Sequence, residues 1–317
     1  MIFDLKANDV STITCIMSKC DIATSKFGQS FAKIILEDSS GKMNCVMWDN
    51  IHRLDNLKPG DVVQATILIE TYNNSLQARI RNIEKASADN TDFAKLIKMS
   101  RFDVNTMVTE IIDLAKTIQD VWWSKLACYF YSDSDFLKVF RMHPAAKSMH
   151  HAYGGGLLQH TLHVAKLTNA VCSIYSNDPL DRDLAVTVAL LHDIGKLHEL
   201  QALPKHGYSV NGQFVGHVVE SQNMIRDACS SIADFPDDKR DLICHCILAH
   251  HGELEYGSPK VPMCLEAMIV HYCDMIDSRE DILISAVDEN RASLQDDKFT
   301  PFVKGLNTSI TTSELFE

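Results

Sequence analysis

Val188-Ala189-Leu190-Leu191-His192-Asp193-Ile194-Gly195-Lys196 decides how the larger part of this chain folds. The apolar run belongs to a buried helix, and the glycine that follows is a helix-stop signal. An Asp placed after four apolar residues is costly unless something pairs it. Adjacent His and Asp at a helix end can both reach one metal ion, through a neutral imidazole nitrogen and a carboxylate oxygen. Two more polar residues share this setting. His160 follows Gly154-Gly155-Gly156-Leu157-Leu158-Gln159, and Asp274 follows Ala267-Met268-Ile269-Val270 and His271-Tyr272-Cys273. Any one such histidine is most often a satisfied core residue. The mixed nitrogen and oxygen set His160, His192, Asp193 and Asp274 suits Mn²⁺, Fe²⁺, Co²⁺ or Mg²⁺ better than a thiolate-loving zinc site.

Outward from this stretch, the helical period holds from about Val104, where Met107, Ile111, Ile112, Leu114, Ala115 and Ile118 fall at helical spacing, to about Val287. Residues 104–288 are predicted to be an all-α domain. Upstream the period is two. Strands are predicted at Val10 to Ile16, Phe31 to Leu36, Asn44 to Trp48, Val62 to Ile69 and Leu76 to Ile83, separated by turn-like segments such as Lys58-Pro59-Gly60-Asp61. Five short strands within residues 1–85 suit a small Greek-key barrel, of which the OB-fold is the commonest form, although other small barrels share the periodicity. The chain is thus predicted to be multidomain, a small β-barrel followed by an all-α domain. Residues 86–103 read as a polar linker with a helical turn or two, and residues 289–317 as a tail or a strap on a neighbour.

The 317 residues suffice for two domains with real cores, and 46% hydrophobic with 23% charged residues is a globular composition. A net charge of -12 argues against charge-driven coating of DNA, because phosphate neutralisation needs Lys and Arg. A nucleic-acid substrate remains compatible through a local basic groove or bound divalent cations. The ten cysteines show no disulfide framework and no CxxC pair, which fits buried free thiols in a reducing cytosol. Cys244-His245-Cys246 has an awkward chelate spacing for zinc. The N-terminus lacks a signal peptide, and no apolar run is long enough to span a membrane. A cytoplasmic protein with no membrane partner is expected.

His160, His192-Asp193 and Asp274 occur in the order H…HD…D, and in this the chain resembles the HD phosphohydrolases. Between Asp193 and Asp274 come Gly216-His217 and Ala249-His250-His251-Gly252. HD proteins that bind two metals carry an H…HH insertion here. The resemblance implies that His217, His250 and His251 hold a second ion with Asp193 bridging, the alternative being that they bind substrate phosphate alone. A bridging carboxylate would keep two ions roughly 3.5–4 Å apart, where they share an attacking hydroxide and polarise a phosphoryl oxygen. Lys196 is a candidate catalytic residue beside Asp193, placed to stabilise charge developing on phosphate, or else an ordinary helix-end lysine. His150, His151, Ser258 and Lys260 are further polar candidates for substrate binding.

A closer resemblance rests on longer runs. His150-His151-Ala152-Tyr153-Gly154-Gly155-Gly156-Leu157-Leu158-Gln159-His160-Thr161-Leu162, Leu191 to Lys196, His250-His251-Gly252-Glu253-Leu254-Glu255-Tyr256-Gly257-Ser258-Pro259-Lys260 and His271-Tyr272-Cys273-Asp274-Met275-Ile276-Asp277 look like the YhaM-type 3′→5′ exoribonucleases over nearly the whole chain. The resemblance implies an OB-fold that holds single-stranded nucleic acid and an HD domain that removes nucleotides from the 3′ end, favouring manganese. Where the family has a glutamate before the first metal histidine, this chain has Gln159. The barrel is less basic than a typical RNA-binding module, though Lys26, Lys33, Lys42, Arg79 and Arg81 remain. Phe27, Phe31, Trp48 and Tyr72 are candidate stacking platforms for bases, against the alternative of barrel packing.

The leading expectation is a 3′→5′ exonuclease on single-stranded RNA, with single-stranded DNA as another substrate, releasing nucleoside monophosphates by water activated between two metals. A cyclic-nucleotide or cyclic-dinucleotide phosphodiesterase is the second reading, although no GYP triad follows His250-His251. A nucleic-acid-binding regulator with a ligand-sensing HD domain is the third, and the intact ligand set argues against it. Homo-oligomerisation stays open.

Overall fold

The computed structural model describes residues 1–72, 75–86, 93–147, 151–205 and 207–316, and all their side chains except those of 72, 75, 93, 94, 256, 292, 293 and 295. It divides into two compact units, Met1–Met99 with Gln201–Gly207, and Ser100–Leu200 with Tyr208–Glu317.

The first unit is a closed five-stranded barrel of β1 (Val10–Thr24), β2 (Ser30–Asp38), β3 (Gly41–Met47), β4 (Asp61–Tyr72) and β5 (Ser75–Lys85). Its strand order is β1-β2-β3-β5-β4, with β4 pairing back to β1. Every pairing is antiparallel except the short parallel contact of β3 with β5. That is the Greek-key connectivity of the OB-fold. Alternation decides which residues turn inward: Ala32, Ile34 and Leu36 of β2 are buried while Lys33 is exposed. β1 outruns the alternating segment that announced it. Its register shifts between Met17 and Lys19, and Cys15, Ile16 and Met17 are buried in succession. A bulge of this kind bends a strand and breaks the two-residue period, so a single strand can pair with both β2 and β4 while its second half escapes a pattern search. Trp48, expected within a strand, lies just beyond β3. Of the predicted linker, residues 87–92 lie outside the described residues, and Phe93–Leu96 form α1.

The second unit is helical: α2 (Val104–Lys116), α3 (Val121–Tyr131), α4 (Ser134–Phe140), α5 (Gly156–Ile174), α6 (Arg182–Leu191), α7 (Lys196–Glu199), α8 (Val210–Phe214), α9 (His217–Ser231), α10 (Asp237–Ala249), α11 (Leu265–Glu289) and α12 (Arg291–Asp297). Aspartates cap four of the starts. Asp103, Asp120, Asp133 and Asp181 each accept from backbone N–H groups of the following turn, satisfying donors that a helix N-terminus leaves free. Leu184 to Leu191 of α6 are all buried, so this helix is enclosed on every side, with α5 and α11 packed against it. The residues after 288, expected as a tail or strap, include α12 and a bridge between Val303 and Thr308, and Leu294 and Ile310 pack with Val287 of α11. All ten cysteines are free thiols. Among the described residues, no helix is long and apolar enough to cross a membrane.

Candidate metal centre

The enclosed helix α6 runs straight into His192 and Asp193, so both side chains start from the middle of the unit. Gly195 allows this. A Cβ at Gly195 would lie 2.3 Å from the His217 carbonyl oxygen and 2.4 Å from the Ser221 nitrogen. Only a residue without one lets the end of α6 close on the start of α9, and the Gly195 N–H then donates to Ser221 Oγ at 2.8 Å. The glycine run before α5 has a similar cause. Gly155 has φ +79°, and a Cβ on Gly156 would fall 2.0 Å from the His151 carbonyl oxygen, so the segment before His160 folds tightly over the helix start.

His160, His192, Asp193, His217 and His250, from four elements, converge. Asp193 is 2% exposed and its two oxygens face different partners. Oδ2 lies 3.3 Å from His160 Nε2, 3.4 Å from His192 Nε2 and 2.6 Å from Lys196 Nζ. Oδ1 lies 3.5 Å from His217 Nε2 and 3.7 Å from His250 Nε2. Asp274 Oδ1 joins the first group, 3.3 Å from His160 Nε2, and His251 joins the second, its Nε2 3.3 Å from that of His217. Two sets around Asp193 have ligand atoms close enough for one ion each, His160 with His192 and Asp274, and His217 with His250 and His251; a third such group, His151 with His160 and Asp277, lies behind the first and shares its His160.

Four of the imidazoles have Nδ1 already engaged. His192 Nδ1 donates to the Ala189 carbonyl at 2.8 Å and His250 Nδ1 to that of Ile247 at 2.6 Å. His217 Nδ1 meets Glu199 Oε1 at 2.9 Å and His160 Nδ1 meets Asp277 Oδ2 at 2.6 Å. With Nδ1 donating, Nε2 is left as the inward nitrogen, the arrangement by which metal-binding histidines are oriented. A fit test comes from atoms that nothing satisfies: Asp193 Oδ1, His250 Nε2 and His251 Nδ1 are buried without a hydrogen-bond partner. Buried acceptors left bare are costly, and a divalent cation among these nitrogens and oxygens removes the cost. The donors present fit such an ion.

Electrostatics separate the two sets. Burial disfavours a charged His160, but hydrogen bonds with Asp193, Asp274 and Asp277 outweigh it and hold its pKa well above the ordinary value. Burial and the neighbouring imidazoles push His250 well down, and burial with His217 brings His251 to about 4. Burial works against ionised Asp193, yet Lys196, His192 and His160 keep its carboxyl far below the usual range. Lys196 is itself buried, and the nearby carboxylates, Asp193 first, keep it an ammonium.

The remaining candidates are placed differently. His151 is fully buried behind His160, its Nε2 2.8 Å from Asp277 Oδ2. His150 lies outside the described residues. Ser258 is buried, and its hydroxyl lies 3.0 Å from the Leu248 carbonyl and 2.6 Å from that of Lys260, so it ties the loop rather than facing the cluster. Lys260 is exposed, and no contact joins it to the ligand sets among the described residues. In the barrel unit, Phe31 and Trp48 stack on each other with centroids 4.5 Å apart, Lys33 lies 5.8 Å from the Phe31 ring, and Phe27 is 98% exposed at the β1–β2 turn. The Tyr72 side chain lies outside the described residues. Cys246 Sγ lies 3.6 Å from Cys264 Sγ, and His245 Nε2 accepts from the Met263 N–H, so the three residues 244–246 do not chelate together.

Sequence reasoning gave no role to Asp277, Glu199, His163, Tyr153 or Asp281. The helical spacing of Asp274, Asp277 and Asp281 on α11, one face over two turns, is the signal that marks two of them. Glu199 ends the four-residue α7, which is too short to show a period that points inward.

The HD domain family matches residues 157–279, which span all seven candidate ligands. The 3′-5′ exoribonuclease YhaM of Geobacillus sp. is 28% identical over 83% of this chain and 80% of its own. That of Bacillus subtilis is 27% identical over 82% of each, and that of Listeria welshimeri is 26% identical over 100% of this chain and 99% of its own. Among solved structures, the second OB-fold domain of replication protein A from Methanococcus maripaludis aligns with 27% of this chain and 93% of its own, at 18% identity and a TM-score of 0.24.

Proposed function

The chain is a YhaM-type protein with an HD domain, and from that premise we propose that it is a 3′→5′ exoribonuclease acting on single-stranded RNA. Its ligand sets, His160, His192 and Asp274 on one side and His217, His250 and His251 on the other, would hold two divalent ions with Asp193 between them. The observation that carries this reading is the split of Asp193, one oxygen toward each set. Divalent ions held by these residues would lower the pKa of a water so that hydroxide is available near neutral pH to attack a phosphodiester, and would neutralise charge on the phosphoryl oxygens. The mixed imidazole and carboxylate donors, without thiolates, suit Mn²⁺, Fe²⁺, Co²⁺ or Mg²⁺, and the resemblance to the YhaM-type exoribonucleases favours Mn²⁺ among them.

The chain's own residues do the rest. Asp193 stays ionised because Lys196 and the imidazoles surround it. Lys196, 2.6 Å from Asp193 Oδ2 and almost fully buried, acts by holding that carboxylate in place, so its effect on phosphate is indirect. Glu199 accepts from both the backbone N–H and the Nδ1 of His217 and fixes the first residue of α9. His271 Nδ1, 2.9 Å from the His250 carbonyl oxygen, secures the end of α10 to α11. The barrel would hold the single strand, with exposed Phe27 and the Phe31–Trp48 pair offering ring faces to bases.

The test is 5′-labelled single-stranded RNA incubated with the protein and Mn²⁺. A ladder of products shortened from the 3′ end is expected, with nucleoside monophosphates released. Intact RNA beside a cleaved cyclic dinucleotide would overturn the exonuclease reading.

A further inference from the structure

Behind the first ligand set lies a group that the reaction as proposed does not use. Asp277, on α11 and 3% exposed, receives three imidazoles on one carboxylate. Its Oδ2 is 2.6 Å from His160 Nδ1 and 2.8 Å from His151 Nε2, and its Oδ1 is 2.9 Å from His163 Nδ1. His160 alone of these three turns its other nitrogen toward Asp193 and Asp274. We propose that Asp277 is the positioning residue of the metal centre: its carboxylate fixes the plane and tautomer of His160, and His151 and His163 pin that carboxylate from two further sides. This rests on the metal-dependent reading above and deepens it.

The chemistry requires an acceptor without protons. An ionised carboxylate offers about four lone-pair sites and no hydrogen, so it can take three N–H donors at once. Of the other engaged ligands, His192 and His250 lean on backbone carbonyls three residues back in their own helices, and His217 leans on the Glu199 carboxylate. His160, in the second turn of α5, has no such carbonyl to use, because the helix ladder claims them. It needs a side-chain acceptor from another helix. The carboxylate is fixed in turn: Asp281, one turn further along α11, accepts the His151 backbone N–H at 2.7 Å, and the Tyr153 hydroxyl bridges His151 Nδ1, Gln159 Oε1 and Asp281 Oδ1. Asp281 supports the same network without touching His160, which makes it the natural control.

Asp277→Asn is isosteric but brings two N–H donors of its own, so it cannot receive all three imidazoles. Mn²⁺ binding to the full-length chain, followed by EPR of the free ion, should weaken by about 10–100-fold in at least one step, the usual loss when an outer partner of a ligand histidine is removed. Asp281→Asn should leave every step within about threefold, with a thermal midpoint lowered comparably. Equal Mn²⁺ binding by Asp277→Asn and the unaltered chain would overturn the positioning role while the metal reading stands. Equal weakening by Asp277→Asn and Asp281→Asn would also overturn it, by showing a general loosening of the network. No Mn²⁺ binding by the unaltered chain would overturn the metal reading itself. Should Asp277→Asn lose its helical circular dichroism, the same titration on Asp277→Glu decides, since it keeps the charge and moves the carboxylate by one methylene. A loss of tenfold or more supports the role, and unchanged affinity overturns it.

Discussion

Loading the centre with metal should release about one proton, and that proton should come from the His160 set alone. Carboxylate hydrogen bonds hold His160 well above its ordinary pKa of 6.5 despite burial, so the chelator-stripped chain at about pH 7 carries this ring protonated on both nitrogens. The geometry requires the same. His192 Nδ1 is engaged by the Ala189 carbonyl, and its Nε2 lies 3.1 Å from His160 Nε2. Two lone pairs would repel at that distance, whereas a hydrogen on His160 makes a bond. An incoming ion must displace that hydrogen. Affinity for this ion should therefore rise about tenfold per pH unit, about 1.4 kcal/mol, until pH passes the raised pKa of His160. His250 and His251 are held low, the latter at about 4; both are neutral near pH 7 and contribute no proton. Isothermal titration of Mn²⁺ into stripped protein, in two buffers of different ionisation enthalpy, gives the count directly. Binding with a proton count indistinguishable from zero would refute the reasoning. The linked stability has a definite sign. The raised pKa of His160 stabilises the metal-free fold fully below about pH 6.5 and is lost as pH rises through the folded value, whereas the lowered carboxyls of Asp193, Asp274 and Asp277 stabilise it above about pH 4 and fail as pH falls. The depressed His250 and His251 cost stability as pH falls below about 6.5, where only the unfolded chain takes up their protons, so the metal-free thermal midpoint should peak near about pH 6.5 and decline on either side.

Asp193→Ala should abolish metal-dependent RNA hydrolysis and reduce Mn²⁺ stoichiometry, both sets having lost their shared oxygen donor; retained turnover in the labelled-RNA assay would remove its bridging role. Lys196→Met strips the ammonium from a buried carboxylate and should cost about 3–5 kcal/mol in the stripped protein, with much of the loss recovered on adding Mn²⁺, as differential scanning calorimetry would show. Gly195→Ala drives a methyl into the backbone of α9 and should cost about 1–3 kcal/mol or more, with weakened Mn²⁺ binding because His217 moves; unchanged binding would mean that α9 adjusts freely. Phe27→Ala, at an almost fully exposed ring, should shift stability by less than about 0.5 kcal/mol yet weaken RNA binding by about 1–3 kcal/mol if a base stacks there. Fluorescence anisotropy with the inactive Asp193→Ala background reads it, and equal affinity would take Phe27 out of the RNA path.

What the sequence disclosed about this molecule follows from how each residue is held. The change from a two-residue to a helical period marked the barrel and the helical unit, because alternation and helix spacing are imposed by every core residue at once. The bulge in β1 broke that signal locally, where three buried residues in succession look like neither pattern. The residues facing the centre stood out because a charged or imidazole side chain beside an enclosed apolar helix needs a partner, and His192-Asp193 after Leu191 is such a case. The groups that orient them were hidden for the complementary reason: Asp277 and Glu199 are satisfied by histidines distant in sequence, so nothing around them in the chain looks anomalous. Ser258 shows the opposite failure. It belongs to a distinctive run that reads like a binding loop, but its hydroxyl is engaged by the carbonyls of Leu248 in α10 and of Lys260. A distinctive run therefore marks where backbone geometry is demanding, and whether its side chains meet a ligand depends on which polar atoms the fold leaves unsatisfied. At the ligand sets those are Asp193 Oδ1, His250 Nε2 and His251 Nδ1, and the proposed step from an HD fold to phosphodiester chemistry rests on them rather than on the Ser258 loop.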